Sequence, residues 1–187
     1  MMIPFYESLR PLILPLSQID SLLPKQGTIV ELGCGQAVIA IYLAKNKKRK
    51  VIGVDQDTSR LPKNSTKNLK FINADIRTYK LEKADGVVIS DVLHHISSKD
   101  QEKILQNIAN SLRKGKILII KEIDTEEKVR SKLSRLWDFI LYPRDHIDYW
   151  SSSALKSQLE RLGFRVEIKR TIRPFPASTT LFICIKM

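Results

Sequence analysis

Acidic residues stand in or directly after four successive apolar runs, and they are the side chains best suited to hold a ligand. They are Glu31 in Thr28–Leu32, Asp55 after Val51–Val54, Asp75 after Leu69–Asn73 and Asp91 after Gly86–Ser90. A carboxylate accepts hydrogen bonds from hydroxyl and amino groups. Four of them at the ends of neighbouring strands therefore suit a ligand that carries several such groups.

Gly33 and Gly35 form a Gly-x-Gly turn between the first run and the helix expected after it. Two glycines there let the backbone approach a ligand closely and leave the N–H groups of a helix start facing it. A dinucleotide-binding turn has a third glycine three residues after the second, but this position is Val38. Glu31, two residues before Gly33, favours instead a ligand with a positive group at the turn.

Asp55 and Asp75 fit a nucleoside that lies across the strand ends. Asp55 comes twenty residues after Gly35 and is placed to accept both ribose hydroxyls. Taken alone, Asp55 is interpreted equally well as a helix N-cap. Asp75 is placed to accept from an adenine amino group, with Ile76 packing on the ring.

The apolar runs are short, continuous and rich in Val and Ile, as strands buried on both faces of a parallel sheet are. Between these runs, apolar residues recur at helical spacing. The sequence therefore predicts βαβ units in a doubly wound α/β domain. A fifth run is Ile117–Ile120. Two further strands, Phe164–Lys169 and Thr180–Lys186, are predicted as an antiparallel pair at the sheet edge.

Four longer helices are predicted from apolar spacing and cap residues, and they span 37–45, 99–112, 125–142 and 153–162. Ser98 is the expected N-cap of the second, and Gly163 ends the fourth. The polar segment 57–68 has room for a helix of one or two turns only. Residues 1–27 are broken by prolines and are expected to form short helical segments.

The 187 residues are 43% hydrophobic and 28% charged, which is typical of one soluble globular domain. No apolar run approaches the ~20 residues of a membrane-spanning helix, and Met1–Arg10 lacks the pattern of a signal peptide. Cys34 and Cys184 lie outside any CxxC or Cys/His cluster, which excludes a zinc-ribbon or iron–sulfur site and predicts no metal. We expect a cytoplasmic protein.

The formal net charge of +12 is typical of proteins that bind nucleic acid or an anionic membrane surface. The dense basic run within Lys45–Lys50 is explained at least as well by a solvated loop after a helix.

Taken in order, the motifs resemble those of the class I S-adenosylmethionine-dependent methyltransferases. The matching segments are Val30–Gly35, Gly53–Asp55, Asn73–Asp75, Asp91–Ile96 and Leu112–Ile120. The resemblance covers residues 28–123 in the right order and spacing. It implies a Rossmann-like methyltransferase fold with a mostly parallel seven-stranded sheet, an antiparallel edge strand pair, and a site for S-adenosylmethionine (SAM) at the carboxyl ends of the strands.

The resemblance also implies roles for individual residues. Glu31 orders the turn and approaches the methionine amino group, while Gly33 and Gly35 let the backbone come close. Asp55 takes the ribose. The other expected cofactor contacts are Gln56, Asp75 and Ile76 on the adenine, and Ser90 and Asp91 on the methionine portion.

Three positions depart from the family pattern. The usual third glycine of the first motif is Ala37, a tolerable change if its φ is helical. The usual Pro-Gly-Gly is Lys114-Gly115-Lys116. The shortened helix after Asp55 predicts an adenine that is more open to solvent.

His94 and His95 are candidate general bases, because histidine titrates near neutral pH and the pair follows the fourth strand. A base is needed only where the acceptor must lose a proton. Glu122, at the end of the next strand, is the residue expected to orient one of them. The alternative, which stays open, is a structural pair that packs the cofactor pocket without titrating.

We divide the single domain into an N-terminal lid segment (1–27), a cofactor-binding core (28–123), an acceptor lid (124–152) and a C-terminal helix and strand pair (153–187). Residues 1–20 and 124–152 are rich in apolar side chains and are expected over the strand ends. They favour a small, hydrophobic or amphiphilic acceptor, and Arg144 and His146 are candidates for binding an anionic group of it. The alternative function is an RNA-binding methyltransferase, or a non-catalytic nucleic-acid-binding domain on the same fold.

Overall fold

The structure, a computed structural model, describes residues 14–123, 148–171 and 179–187. A seven-stranded sheet runs through it in the order β3-β2-β1-β4-β5-β7-β6. The strands are β1 (Gly27–Leu32), β2 (Arg49–Asp55), β3 (Leu69–Asn73), β4 (Gly86–Ser90), β5 (Ile117–Glu122), β6 (Phe164–Thr171) and β7 (Thr179–Lys186).

Strands β1 to β5 are parallel, and β7 pairs antiparallel with both β5 and β6. The fold class is therefore confirmed: a doubly wound, mostly parallel sheet with an antiparallel pair at one edge. The strand order reverses between β1 and β4, which lie side by side with Leu32 opposite Ile89. In an open α/β sheet, such a reversal leaves a crevice at the carboxyl ends of the two strands.

Helices cover both faces of the sheet, and each face has its own apolar core. The helices are α1 (Leu16–Leu22), α2 (Val38–Leu43), α3 (Ser98–Ser111) and α4 (Ser152–Arg161). Alternate residues of β5 serve the two cores: Leu118 and Ile120 pack with α3 and α4, whereas Ile117 and Ile119 pack with α1 and α2. This alternation explains why the central strands β4 and β5 are buried along their whole length, whereas the edge strand β3 has an exposed Lys70.

Three local expectations were wrong. Ala37, which caps α2, has φ +59° and ψ +33°, so it adopts the left-handed conformation and not that of the helix it precedes. The N-cap of α3 is Ser97, whose hydroxyl accepts from the Asp100 N–H, and not Ser98. Residues 57–68 contain turns and no helix.

The two expected lid segments are described only in part. Within 14–27, α1 packs beside α2, and the carbonyls of Leu23 and Pro24 accept from Arg49 at the start of β2. Within 124–152, residues 148–152 lie against the segment that follows β4. The predicted helix 125–142, together with Arg144 and His146, lies outside the described residues. No helix in the described ranges is long and apolar enough to cross a membrane.

Candidate functional site

The glycine turn after β1 is held directly against the segment that follows β4. Gly33 has φ +72°, in the left-handed region, and a Cβ added there would come within 2.5 Å of Val92 Cγ2. The Gly33 and Cys34 N–H groups both donate to the Val54 carbonyl, at 2.8 and 3.0 Å. Only glycine allows both the conformation and the close approach at position 33.

Asp55 joins the ends of β1 and β2. Its Oδ2 accepts from the Gly35 N–H at 2.7 Å, and its Oδ1 accepts from the Asp57 N–H at 2.9 Å. A carboxylate has about four acceptor positions, so each oxygen retains capacity for a ligand hydroxyl. Asp55 therefore fixes the glycine turn and can still bind a diol.

Glu31 is 4% exposed, and its Oε2 accepts from the Ala40 N–H at 2.8 Å. This N–H belongs to the first turn of α2, where backbone donors have no partner within the helix. The carboxylate thus orders the helix start behind the glycine turn. Its expected contact with a methionine amino group stays a prediction.

The expected adenine residues are dispersed around the end of β3. Arg77 binds Asp75 with its Nε at 2.8 Å from Oδ2 and its terminal nitrogen at 2.5 Å from the same oxygen. The Arg77 guanidinium holds the pKa of Asp75 below its usual value. Ile76 packs on the core beneath α3, and Gln56 is exposed. An adenine at Asp75 would compete with Arg77 for the carboxylate.

Asp91 and Lys121 form an ion pair where β4 and β5 end. Lys121 Nζ lies 2.5 Å from Asp91 Oδ1, and the Asp91 N–H donates to the Lys121 carbonyl at 3.0 Å. Asp91 has φ +54°, and the Ser90 hydroxyl donates to its Oδ2 at 3.3 Å. Lys121 is 3% exposed. The pair holds Asp91 in a left-handed conformation at the edge of the crevice.

Glu122 binds one of the two candidate histidines, and that one is His94. Glu122 Oε2 lies 2.6 Å from His94 Nδ1, and Oε1 accepts from the Val92 and Leu93 N–H groups at 3.2 and 2.9 Å. The His94 ring is buried, stacks with Tyr149 at 5.3 Å between centroids and lies 4.2 Å from the His95 ring. Glu122 therefore orients His94, whereas the ring of His95 packs on that of His94.

Lys121 and Glu122 hold the same loop from opposite sides. Consecutive side chains of a strand point to opposite faces of the sheet. Lys121 binds Asp91 from one face, and Glu122 binds the Val92–His94 turn from the other. The loop after β4 is thus fixed by two adjacent residues of β5.

A family model described as a methyltransferase domain matches residues 5–168, most of the chain. The chain belongs to the S-adenosylmethionine-dependent class I methyltransferases. This confirms the family that the motifs resemble, and SAM is the cofactor of that family.

Relatives of known name add to this assignment. A carboxy-S-adenosyl-L-methionine synthase from Nautilia profundicola is 27% identical over 139 residues, which are 70% of this chain and 58% of that protein. The chain thus spans less than two thirds of that relative.

Solved methyltransferases have the same fold. The magnesium protoporphyrin IX methyltransferase of Synechocystis with bound SAH is similar with a TM-score of 0.73 and 16% identity over 92% of this chain and 82% of that one. Human N-acetylserotonin methyltransferase in complex with SAM gives 0.72 and 16%, over 91% and 51% of the two chains.

The residues of this methyltransferase domain fit SAM. The crevice between β1 and β4 has a glycine turn on one side, and a carboxylate suited to a diol stands at its edge in Asp55. When bound, SAM supplies an electrophilic methyl group on a sulfonium. Among the described residues, no group of three His, Cys, Asp or Glu side chains could hold a metal ion.

Two residues that lie beside the candidate site were not singled out from the sequence. Arg60 places its guanidinium over the glycine turn, where a Cβ on Gly35 would come within 3.0 Å of it, and its buried Nε has no hydrogen-bond partner within the described part of the chain. Lys121 is the second. The sequence did indicate Lys121, because it is a charged residue that directly follows an apolar run expected to be buried on both faces.

Proposed function

We propose that this chain transfers the methyl group of SAM to a small, hydrophobic or amphiphilic acceptor. One observation carries the proposal: the Gly33–Gly35 turn, fixed by Asp55, borders the crevice where the strand order reverses, in a chain that belongs to the methyltransferase family. The nucleic-acid alternative has no support from the relatives.

The cofactor lies across the carboxyl ends of β1, β2 and β4 in this proposal. Asp55 accepts from the ribose hydroxyls with the lone pairs that Gly35 and Asp57 leave to it. Ser90 and Asp91 border the methionine portion. The adenine lies toward Ile76, Gln56 and Asp75, where Arg77 has to yield part of its contact with the carboxylate.

Methyl transfer from a sulfonium is an in-line displacement, so positioning of the acceptor supplies most of the rate. An acceptor that must lose a proton needs a base, and His94 is the candidate that Glu122 orients. With Nδ1 bound by Glu122, the proton goes to Nε2. Glu122 then stabilises the imidazolium by its charge.

The surroundings of His94 support a hydrophobic acceptor. A small cavity next to the pair is lined mostly by apolar and aromatic side chains. Its lining residues are His94, Glu122, Ile123, Asp148, Trp150, Leu155 and Phe182. At about 10 Å³ the cavity has room for one water molecule, so an acceptor would have to widen it, and Asp148 adds a second carboxylate to its apolar walls.

The relatives named carboxy-S-adenosyl-L-methionine synthase favour a second candidate, the conversion of SAM itself into its carboxylated form. In that reaction a second substrate would supply the carboxyl group, which replaces a proton on the methyl carbon of SAM, and the same crevice would bind SAM. We place either activity in the cytoplasm, where the free thiols of Cys34 and Cys184 stay reduced.

The proposal is tested in two steps. Titration calorimetry measures binding of SAM and of SAH, and a wild-type chain that binds neither overturns the proposal. Metabolite extracts are then incubated with methyl-labelled SAM and the chain. Label in an organic-soluble product supports methyl transfer to a hydrophobic acceptor, whereas a carboxylated SAM seen by mass spectrometry supports the second candidate instead.

A further inference from the structure

We infer that buried Lys121 neutralises Asp91 at the methionine end of the cofactor site, and that this pair sets how strongly the site prefers SAM over SAH. The inference rests on the proposed function, because it takes the crevice between β1 and β4 as the cofactor site. It concerns discrimination between two ligands and not the binding of either.

The pair is built into the fold at two points. The ammonium of Lys121 lies 2.5 Å from Asp91 Oδ1, and the backbone of the same two residues is joined at 3.0 Å. The Lys121 side chain is 3% exposed and that of Asp91 is 24% exposed. The lysine is therefore inside the protein, and the carboxylate faces the crevice.

The pair lies next to the glycine turn. Val92, the residue after Asp91, packs so closely on Gly33 that a Cβ there would come within 2.5 Å of it. Ser90, the residue before Asp91, is the last residue of β4, which pairs with β1. A ligand seated on the turn between Gly33 and Gly35 therefore lies beside the segment that carries Asp91, to which Lys121 is bound.

SAM and SAH differ by one positive charge, because SAM is a sulfonium and SAH is a neutral thioether. A charge near the sulfur therefore changes the affinity for SAM and leaves that for SAH almost unaffected. Asp91 without its lysine would attract SAM. Lys121 without its aspartate would repel it, and together they leave little net charge.

The need to hold β4 and β5 together does not explain why Lys121 is buried beside Asp91. A buried ion pair contributes about as much stability as apolar side chains of the same volume, and frequently less. Strands β4 and β5 are already joined at their amino ends by a comparable pair, Lys116 and Asp85, whose charged atoms are 2.7 Å apart. The Lys116–Asp85 pair is about one-third exposed and lies at the amino ends of the strands, opposite the crevice. It therefore serves as the matched control.

The test measures the dissociation constants of SAM and of SAH by calorimetry and compares their ratio, Kd for SAH divided by Kd for SAM. In Lys121→Met the ratio should rise about five- to thirty-fold, because the carboxylate is left to attract the sulfonium. In Asp91→Asn it should fall by a similar factor. The double variant should return to within about two-fold of wild type, and Lys116→Met should not change the ratio.

A purely structural role for the pair predicts something else, namely that both single variants weaken SAM and SAH equally. An unchanged ratio, or a ratio that moves in the same direction in both variants, overturns the inference. Near-UV circular dichroism checks the fold of each variant, and if one single variant does not fold, the direction in which the ratio moves in the other single variant, compared with the double variant, decides the matter. A wild-type chain that binds neither ligand is a different result, since it overturns the proposed function itself.

Discussion

Glu122 Oε2 lies 2.6 Å from His94 Nδ1, and the other oxygen of the same carboxylate accepts the N–H groups of Val92 and Leu93. One side chain therefore sets both the backbone of the turn after β4 and the orientation of the imidazole that the turn carries. A His94 that acts as a base and a His94 that only packs the pocket both need this arrangement, so activity has to separate the two.

His94→Ala should lower the rate of methyl transfer to a protic acceptor by about 10²–10⁴ while the affinity for SAM stays within about three-fold of wild type. The reason is that Glu122 orients His94 beside the cavity, whereas the contacts of the glycine turn are made by Val92 and Asp55. Labelled-methyl transfer to an acceptor fraction from extracts measures the rate, and calorimetry measures the affinity. His95→Ala is the matched control; a larger loss in that variant would assign the base to His95.

Gly33→Ala should lower the free energy of unfolding by about 2–4 kcal/mol. The alanine has to adopt φ +72°, and its Cβ meets Val92. Gly115→Ala isolates the cost of the left-handed conformation, because Gly115 has φ +79° with nothing within 4 Å of an added Cβ. This variant should lose about 1 kcal/mol of unfolding free energy. Urea denaturation measures both, and equal losses would show that Val92 yields without cost.

Asp55→Ala should weaken the binding of SAM and SAH by about 10- to 100-fold, which corresponds to about 1.5–3 kcal/mol for hydrogen bonds to a charged group. The variant loses the ribose acceptor and also releases the Gly35 N–H from its partner. Asp57→Ala is the control, since its carboxylate is exposed and binds Ser59 instead. Calorimetry that finds equal affinity in Asp55→Ala and wild type would remove Asp55 from the site.

Acid should destabilise the fold in part through Asp85. The Lys116 ammonium and the Thr28 N–H hold the pKa of Asp85 below its usual value. A carboxyl whose pKa is lower in the folded state stabilises the fold above the unfolded value, about 4, and this contribution is lost as the pH falls through the folded value. Calorimetric melting between about pH 3 and 7 should show Asp85→Asn to be less stable than wild type at pH 7, with a smaller loss in acid. Curves of the two proteins that run parallel would contradict this.

The sheet could be predicted because the central strands are mostly apolar runs that end near a polar residue. The bounds of β3 and β4 agree with the prediction, although only β4 is buried along its whole length, whereas Lys70 of β3 is exposed. The family followed from the motifs in their order, and the neighbourhood of β4 and β5 predicted that Glu122 meets one of the two histidines, but not that this one is His94. Local patterns were enough for these features.

The errors arose where a distant contact decides the local backbone. Ser97 and Ser98 are equivalent as N-caps in the sequence, but Asp148 accepts from both the N–H and the hydroxyl of Ser98 and leaves Ser97 to cap α3. Lys121 finds Asp91 thirty residues away along the chain. The segment 57–68 is different, because the Asp57 carboxylate accepts from the N–H and the hydroxyl of Ser59 in a local turn that no helix follows.

The position of β7 between β5 and β6 determines the order in which the sheet can assemble during synthesis. Residues 164–171 pair in the described structure with β7 alone, and β7 is made after them. The parallel strands β1 to β5 can associate as soon as they leave the ribosome, whereas β6 has to wait for residues 179–186. Until then β5 has an unpaired edge of Ile and Leu residues, which makes the incomplete chain prone to aggregation at that edge.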